Sequence, residues 1–155
     1  MNMDTNINIS TNMRIKRIVS FCLMWINIVP IIAYMFNKSV IDEDINRILK
    51  YIPFSNKIFS LNYALIFLKP FRSVFCYRLS RKGVLFRVIA FLFVRSLNDI
   101  EISGNIGEGI LIFHNMGCVI APYSAGKNLT VSQGVTIGAG KVNNFVGGYK
   151  FPSNW

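Results

Sequence analysis

The sequence predicts two architectures in tandem, an α-helical region followed by a β-solenoid. Three observations predict this. Residues 1–98 carry long apolar runs at helical spacing, with Gly83 as their single glycine. The composition changes at Asn98–Asp99, after which Gly becomes frequent and aromatics become rarer. From Ile100 onward, apolar or small residues recur with a period of six, which fits neither a helix nor an alternating strand.

Charge divides the chain at the same place. Residues 1–98 hold 14 Lys/Arg against 4 Asp/Glu, whereas residues 99–155 hold 3 against 3, so the net charge of +10 belongs to the first part. A basic, aromatic-rich part joined to a neutral part suggests two jobs on one chain. Lys69, Arg72, Arg78, Arg81, Lys82, Arg87 and Arg95 punctuate apolar runs instead of forming a solvated basic surface. That pattern favours a membrane interface or a buried helical packing face over a nucleic-acid partner. Cys22, Cys76 and Cys118 are odd in number and far apart, with no CxxC pair or Cys/His cluster for a metal. They read as small buried hydrophobes in a reducing compartment.

Residues 1–12, rich in Asn, Thr and Ser, are expected to be a disordered lead-in, and residues 13–98 the helical region. Residues 18–36 contain no charged side chain and, as one helix, would run roughly 28 Å, close to the hydrocarbon core of a bilayer. Arg14, Lys16 and Arg17 before the stretch would keep the N-terminus inside. Asn27 and Pro30 interrupt the run. Spanning, lying on a membrane face and packing within an oligomer all stay open for it.

Residues 39–52 predict an amphipathic helix. Ser39 can cap it, and Asp42, Glu43 and Asp44 suit its N-terminus. Ile45, Ile48, Leu49 and Ile52 share a face, and Pro53 ends it. Residues 57–68 and 71–82 predict two helices split at Pro70, and residues 84–97 a fourth, nearly all apolar.

The period then takes over. The series is Ile100, Ile106 and Ile112, then after one extra residue Val119, Ala125, Val131 and Ile137. A second series lies at Ile110, Met116, Leu129 and Val135, and Gly follows the key position at 107, 126 and 138. This fits a solenoid whose coil has three flat faces, each a short strand and a corner. Small residues after the buried aliphatics suit tight corners, often with positive φ.

The run IGEGILIFHNMGCVIAPYSAGKNLTVSQGVTIG, residues 106–138, resembles the hexapeptide-repeat acyltransferases, and within them the serine acetyltransferases and their relatives in capsule-type polysaccharide loci. A Gly-x-Gly-aliphatic stretch running into His114, the aliphatic corner at Pro122, and the QGVTIG run carry the likeness. FRSVFCYRLSR, residues 71–81, resembles the helical segment before the β-helix in these proteins. The resemblance implies a left-handed parallel β-helix over residues 99–155. It also implies an acetyl-CoA-dependent O-acetyltransferase that needs no metal, a homotrimer, and a cytoplasmic location at the inner face of a membrane if the chain associates with one.

By that resemblance His114, the only histidine, stands where the family has its catalytic base. Attack of a hydroxyl on a thioester needs a base that titrates near neutrality, which imidazole supplies. Asp99 matches the His-orienting aspartate, with Glu101 as the fallback. Gly138, Ala139, Gly140 and Lys141 match residues that meet coenzyme A. The family often has Asp directly before the His, where this chain has Phe113. Many serine-specific members carry a second His where this chain has Phe151. The acceptor is therefore L-serine, as in cysteine biosynthesis, or a saccharide hydroxyl. Residues 106–137 make under two coils, so an incomplete β-helix is expected, and an inactive membrane-associated remnant is the rival reading.

Overall fold

A computed structural model of the chain describes residues 11–52, 54–96, 99–114 and 116–138. Six α-helices come first: α1 (Thr11–Cys22), α2 (Ile28–Met35), α3 (Lys38–Ile48), α4 (Lys57–Phe67), α5 (Lys69–Ser80) and α6 (Val84–Phe93). Seven short strands follow: β1 (Ile100–Ile102), β2 (Asn105–Ile106), β3 (Leu111–Ile112), β4 (Cys118–Ala121), β5 (Ser124–Ala125), β6 (Thr130–Val131) and β7 (Thr136–Gly138). The helical region and the strand region therefore meet where the composition changes.

The apolar stretch 18–36 is not one helix. It breaks into α1, a 3-10 turn at Met24–Asn27, and α2, with a bend of 59°. Pro30 lacks an N–H and fits the first turn of a new helix better than the middle of an old one. Asn27 uses the break. Its amide donates to Asn62 Oδ1 at 2.8 Å, and the Asn62 amide donates to the backbone carbonyl and hydroxyl of Ser20. This buried network stitches the bent pair to α4. Among the described residues no single helix is long and apolar enough to cross a membrane. Thr11 and Asn12 belong to α1 and not to a lead-in; residues 1–10 lie outside the described residues, as does Pro53.

The amphipathic helix forms as α3, with Ile41, Ile45 and Ile48 buried. Ser39 does not cap it: Asn37 holds the N-cap position, and its side chain instead donates to the Arg78 carbonyl. The split at Pro70 also holds, α4 closing at Leu68 and Pro70 falling in the first turn of α5. Helix α6 stops at Phe93, short of the expected residue 97.

Helix α5 separates two cores. Phe71, Phe75 and Leu79, spaced by four, face the helical core with Tyr34, Ile45 and Leu61. Val74 and Tyr77 face the strand core with Ile100, Ile106, Ile110, Ile112, Ile120 and Val131. The segment that resembled a family's helical lead therefore does pack on the strands.

Every strand pairing is parallel. The chain visits three small sheets in turn, ordered β1-β4-β7, β2-β5 and β3-β6. Ile100 pairs with Cys118, Ile106 with Ala125 and Ile112 with Val131, so the period of six does give one strand per face. Two members of the periodic series point elsewhere. Val119 is 37% exposed, because Cys118 and Ile120 take the inward positions of β4, and Met116 is exposed on a corner. Gly107 is needed for close stacking and not for positive φ: a Cβ there would meet the Gly126 carbonyl at 2.8 Å. Gly104 does need its left-handed backbone, with φ +80 and Pro122 O 1.8 Å from an added Cβ. Of the cysteines, Cys118 is buried, but Cys22 is exposed and Cys76 only half-buried.

Candidate functional site

The first circuit of strands has an open edge on the side away from β4–β6, and the helices satisfy it with side chains. Tyr77 Oη accepts from the Ile106 N–H at 3.1 Å and donates to the Gly104 carbonyl at 3.0 Å. Arg78 donates to the carbonyls of Ile106 and Gly107 at 2.8 and 2.7 Å. Asp44 Oδ1 accepts from the N–H groups of Gly109 and Ile110, both at 2.8 Å. Asp44 and Arg78 are themselves a buried ion pair at 2.7 Å. The sequence pattern placed Asp44 as a helix N-terminal charge and Arg78 among basic punctuation. Their real partners are backbone groups that no periodicity reveals.

The corner between β3 and β4 carries His114. Register sets its size. Ile112 pairs with Val131 and Val119 with Thr136, so six residues, 113–118, stand over four, 132–135. The longer corner must bulge. Phe113 is its last laddered residue, its N–H donating to Val131 O at 2.8 Å. His114 then takes φ +64 and Gly117 φ +57, which turn the backbone outward. His114 is exposed as a result.

A pocket of about 490 Å³ lies inside this corner, between the N-terminus of α5, the end of α3 and β3. Phe67, Leu68, Phe71, Val74, Leu111 and Phe113 make its walls, and Tyr51, Lys69 and His114 bring polar groups to it. Phe113 meets Tyr51 edge to face at 6.0 Å. The sequence pointed to His114 but not to this slot, whose Lys69-Pro70 wall reads in sequence only as a helix start.

Asp99 directly precedes β1, as Gly117 directly precedes β4, and its carbonyl accepts from the Cys118 N–H at 2.9 Å. Asp99 and His114 thus share one corner on successive circuits. Both side chains are exposed, and no hydrogen bond joins them among the described residues. Glu101 projects outward from β1. Gly138 pairs with Ala121 at the opposite end of the first sheet from the His114 corner, and among the described residues nothing lies within 4 Å of a Cβ built on it. Ala139, Gly140 and Lys141, the other proposed coenzyme contacts, and the Phe151 loop lie outside the described residues. Among the described residues no three His, Cys, Asp or Glu side chains are gathered to hold a metal ion.

Burial, then a 2.6 Å hydrogen bond to Asp42, pushes the Tyr34 hydroxyl up to about 12. Burial pushes the Cys76 thiol up to about 11. No protein-family model matches the chain, and neither curated proteins nor solved structures give a match.

Proposed function

We propose that the chain is an acetyl-CoA-dependent O-acetyltransferase of the serine acetyltransferase type, its parallel strands forming part of a left-handed β-helix. The observation that carries the reading is His114, held outward on a bulged corner at the mouth of an apolar pocket. An exposed imidazole on a fixed corner can reach an acceptor hydroxyl, while the apolar pocket beside it can take the apolar surface of a bound substrate.

In this reading an imidazole nitrogen of His114 takes the acceptor proton as the hydroxyl oxygen attacks the thioester carbonyl. The new C–O bond forms, the C–S bond breaks, and the imidazolium returns the proton to the departing coenzyme A thiolate. Asp99 is a positioning residue that orients His114; the pair is open in the free chain and closes when the acceptor fills the corner. Gly138, exposed at the end of β7, would lie against the donor's arm.

The acceptor is L-serine or a sugar hydroxyl. Phe113 and Tyr51 favour the sugar, since an aromatic edge replaces the carboxylate that would meet an amino acid's ammonium group. Coenzyme A release by the purified chain, offered L-serine and then a panel of sugars, tests both. Turnover lost in His114→Ala supports the reading, and the responsive acceptor chooses between the two. No turnover from folded protein with any acceptor would overturn it.

A further inference from the structure

The helical region exposes large apolar side chains on one continuous surface. On α1, the 3-10 turn and α2 these include Ile18, Phe21, Trp25 and Ile32; on α6 they include Phe91 and Leu92. Trp25 is 69% and Phe91 80% exposed. The two segments meet where the exposed Phe36 touches the half-buried Phe86 edge to face at 5.7 Å. A solvated helix does not present such a face without a partner.

Charge selects the partner. Helices α1, α2 and α6 contain no Asp or Glu. Arg14 and Arg17 stand exposed on α1, and Lys82, Arg87 and Arg95 are exposed on and beside α6. Two copies brought face to face would crowd like charges at the rim of the contact. An anionic lipid surface instead offers hydrocarbon to the aromatics and phosphate to the cations. The opposite side of the bent pair is committed to protein, through Ser20, Asn27 and Asn62 and through Lys16 over Phe67 at 5.7 Å. We propose that the bent α1–α2 pair and α6 form a monotopic docking face for an anionic membrane, entering one leaflet without crossing it. This inference does not depend on the chemistry at His114.

The full-length chain is tested by co-sedimentation with vesicles of equal parts phosphatidylglycerol and phosphatidylcholine, and with phosphatidylcholine alone. Binding is expected to the anionic vesicles, to weaken with salt, and to fall roughly tenfold or more in Trp25→Glu and in Phe91→Glu. Tyr123→Glu, an equally exposed change on the strand region, should leave binding unchanged. A Trp155→Phe background isolates Trp25, whose emission should shift to the blue on the anionic vesicles. No shift and no sedimentation would overturn the proposal whatever the substitutions do to folding. A stable oligomer that Phe91→Glu dissociates, with no vesicle binding by either form, would overturn it in favour of a second copy of this chain.

Discussion

The outer edge of the first strand circuit and the His114 corner solve opposite problems. At the edge, Asp44, Tyr77 and Arg78 are spent on backbone N–H and C=O groups that would otherwise face apolar helix, and Asp44 and Arg78 are almost wholly buried. At the corner, the one imidazole of the chain is exposed on left-handed backbone, and among the described residues no hydrogen bond ties it to Asp99. The first arrangement secures the junction between the helical and strand regions. The second accepts local strain to project a reactive group. Polar residues that hold this fold are inside it; the polar residue with candidate chemistry is outside it.

Substitutions can separate the two. The largest effect is expected from His114→Ala, a loss of roughly 100-fold to 10,000-fold in acetyl transfer with little change in melting temperature. Equal loss of activity and stability would erase the distinction. Asp44→Ala should do the reverse, costing about 3–5 kcal/mol in a urea titration because it leaves Arg78 buried without its counter-charge. Gly104→Ala should cost about 1–3 kcal/mol or more, from both its φ of +80 and the close Pro122 carbonyl. His114→Gly sharpens the contrast further: it should abolish transfer yet raise stability by up to about 1 kcal/mol, because glycine takes φ +64 without strain.

The smallest effect concerns pH and lies in the helical region. Burial alone would raise the Asp42 carboxyl, but hydrogen bonds from Lys38 and Tyr34 outweigh it and hold Asp42 below its ordinary range. A carboxyl lowered on folding stabilises the native state above its unfolded pKa, and that contribution is lost as pH falls through the folded value. Asp42→Asn should therefore flatten the acid limb of the stability profile below about pH 4. Tyr34 contributes to the alkaline limb. The unfolded phenol ionises near 10 and the folded one at about 12, so its contribution should be lost above about pH 10, and Tyr34→Phe should lessen the slope, the Cys76 thiol and Tyr63 phenol, also raised by burial, supplying the rest.

Much of this fold was legible in the sequence because its parts obey simple periods. The spacing of Ile45 and Ile48 gave α3, Pro70 gave the split between α4 and α5, and the period of six gave strands that return to the same sheet. The misses have a common cause. A periodic count sees spacing along the chain and not register across it. It allowed one extra residue between Ile112 and Val119, and so put Val119 inside. Register instead places one extra residue at 121–123, opposite 103–104, and two at the His114 corner. His114 was legible because it is a unique residue type at a recognisable place. The pocket beside it was not, since Phe67, Phe71 and Leu111 come together only when α5 docks on the strands. The α1–α2 bend was half legible: Asn27 and Pro30 marked it, but Asn62, its partner, lies 35 residues away.

The sealed edge has a kinetic consequence. In an ordinary sheet, an amide is shielded from solvent deuterium by the next strand and exchanges when that strand peels away. Here the amides of Ile106, Gly109 and Ile110 are shielded by a phenol and a carboxylate borne on α5 and α3. Their exchange therefore clocks the lifting of helices from strands, while Leu111 and Phe113, bonded to Leu129 and Val131, clock the opening of the strands themselves. Two adjoining sets of amides along one stretch of chain thus time two separate motions.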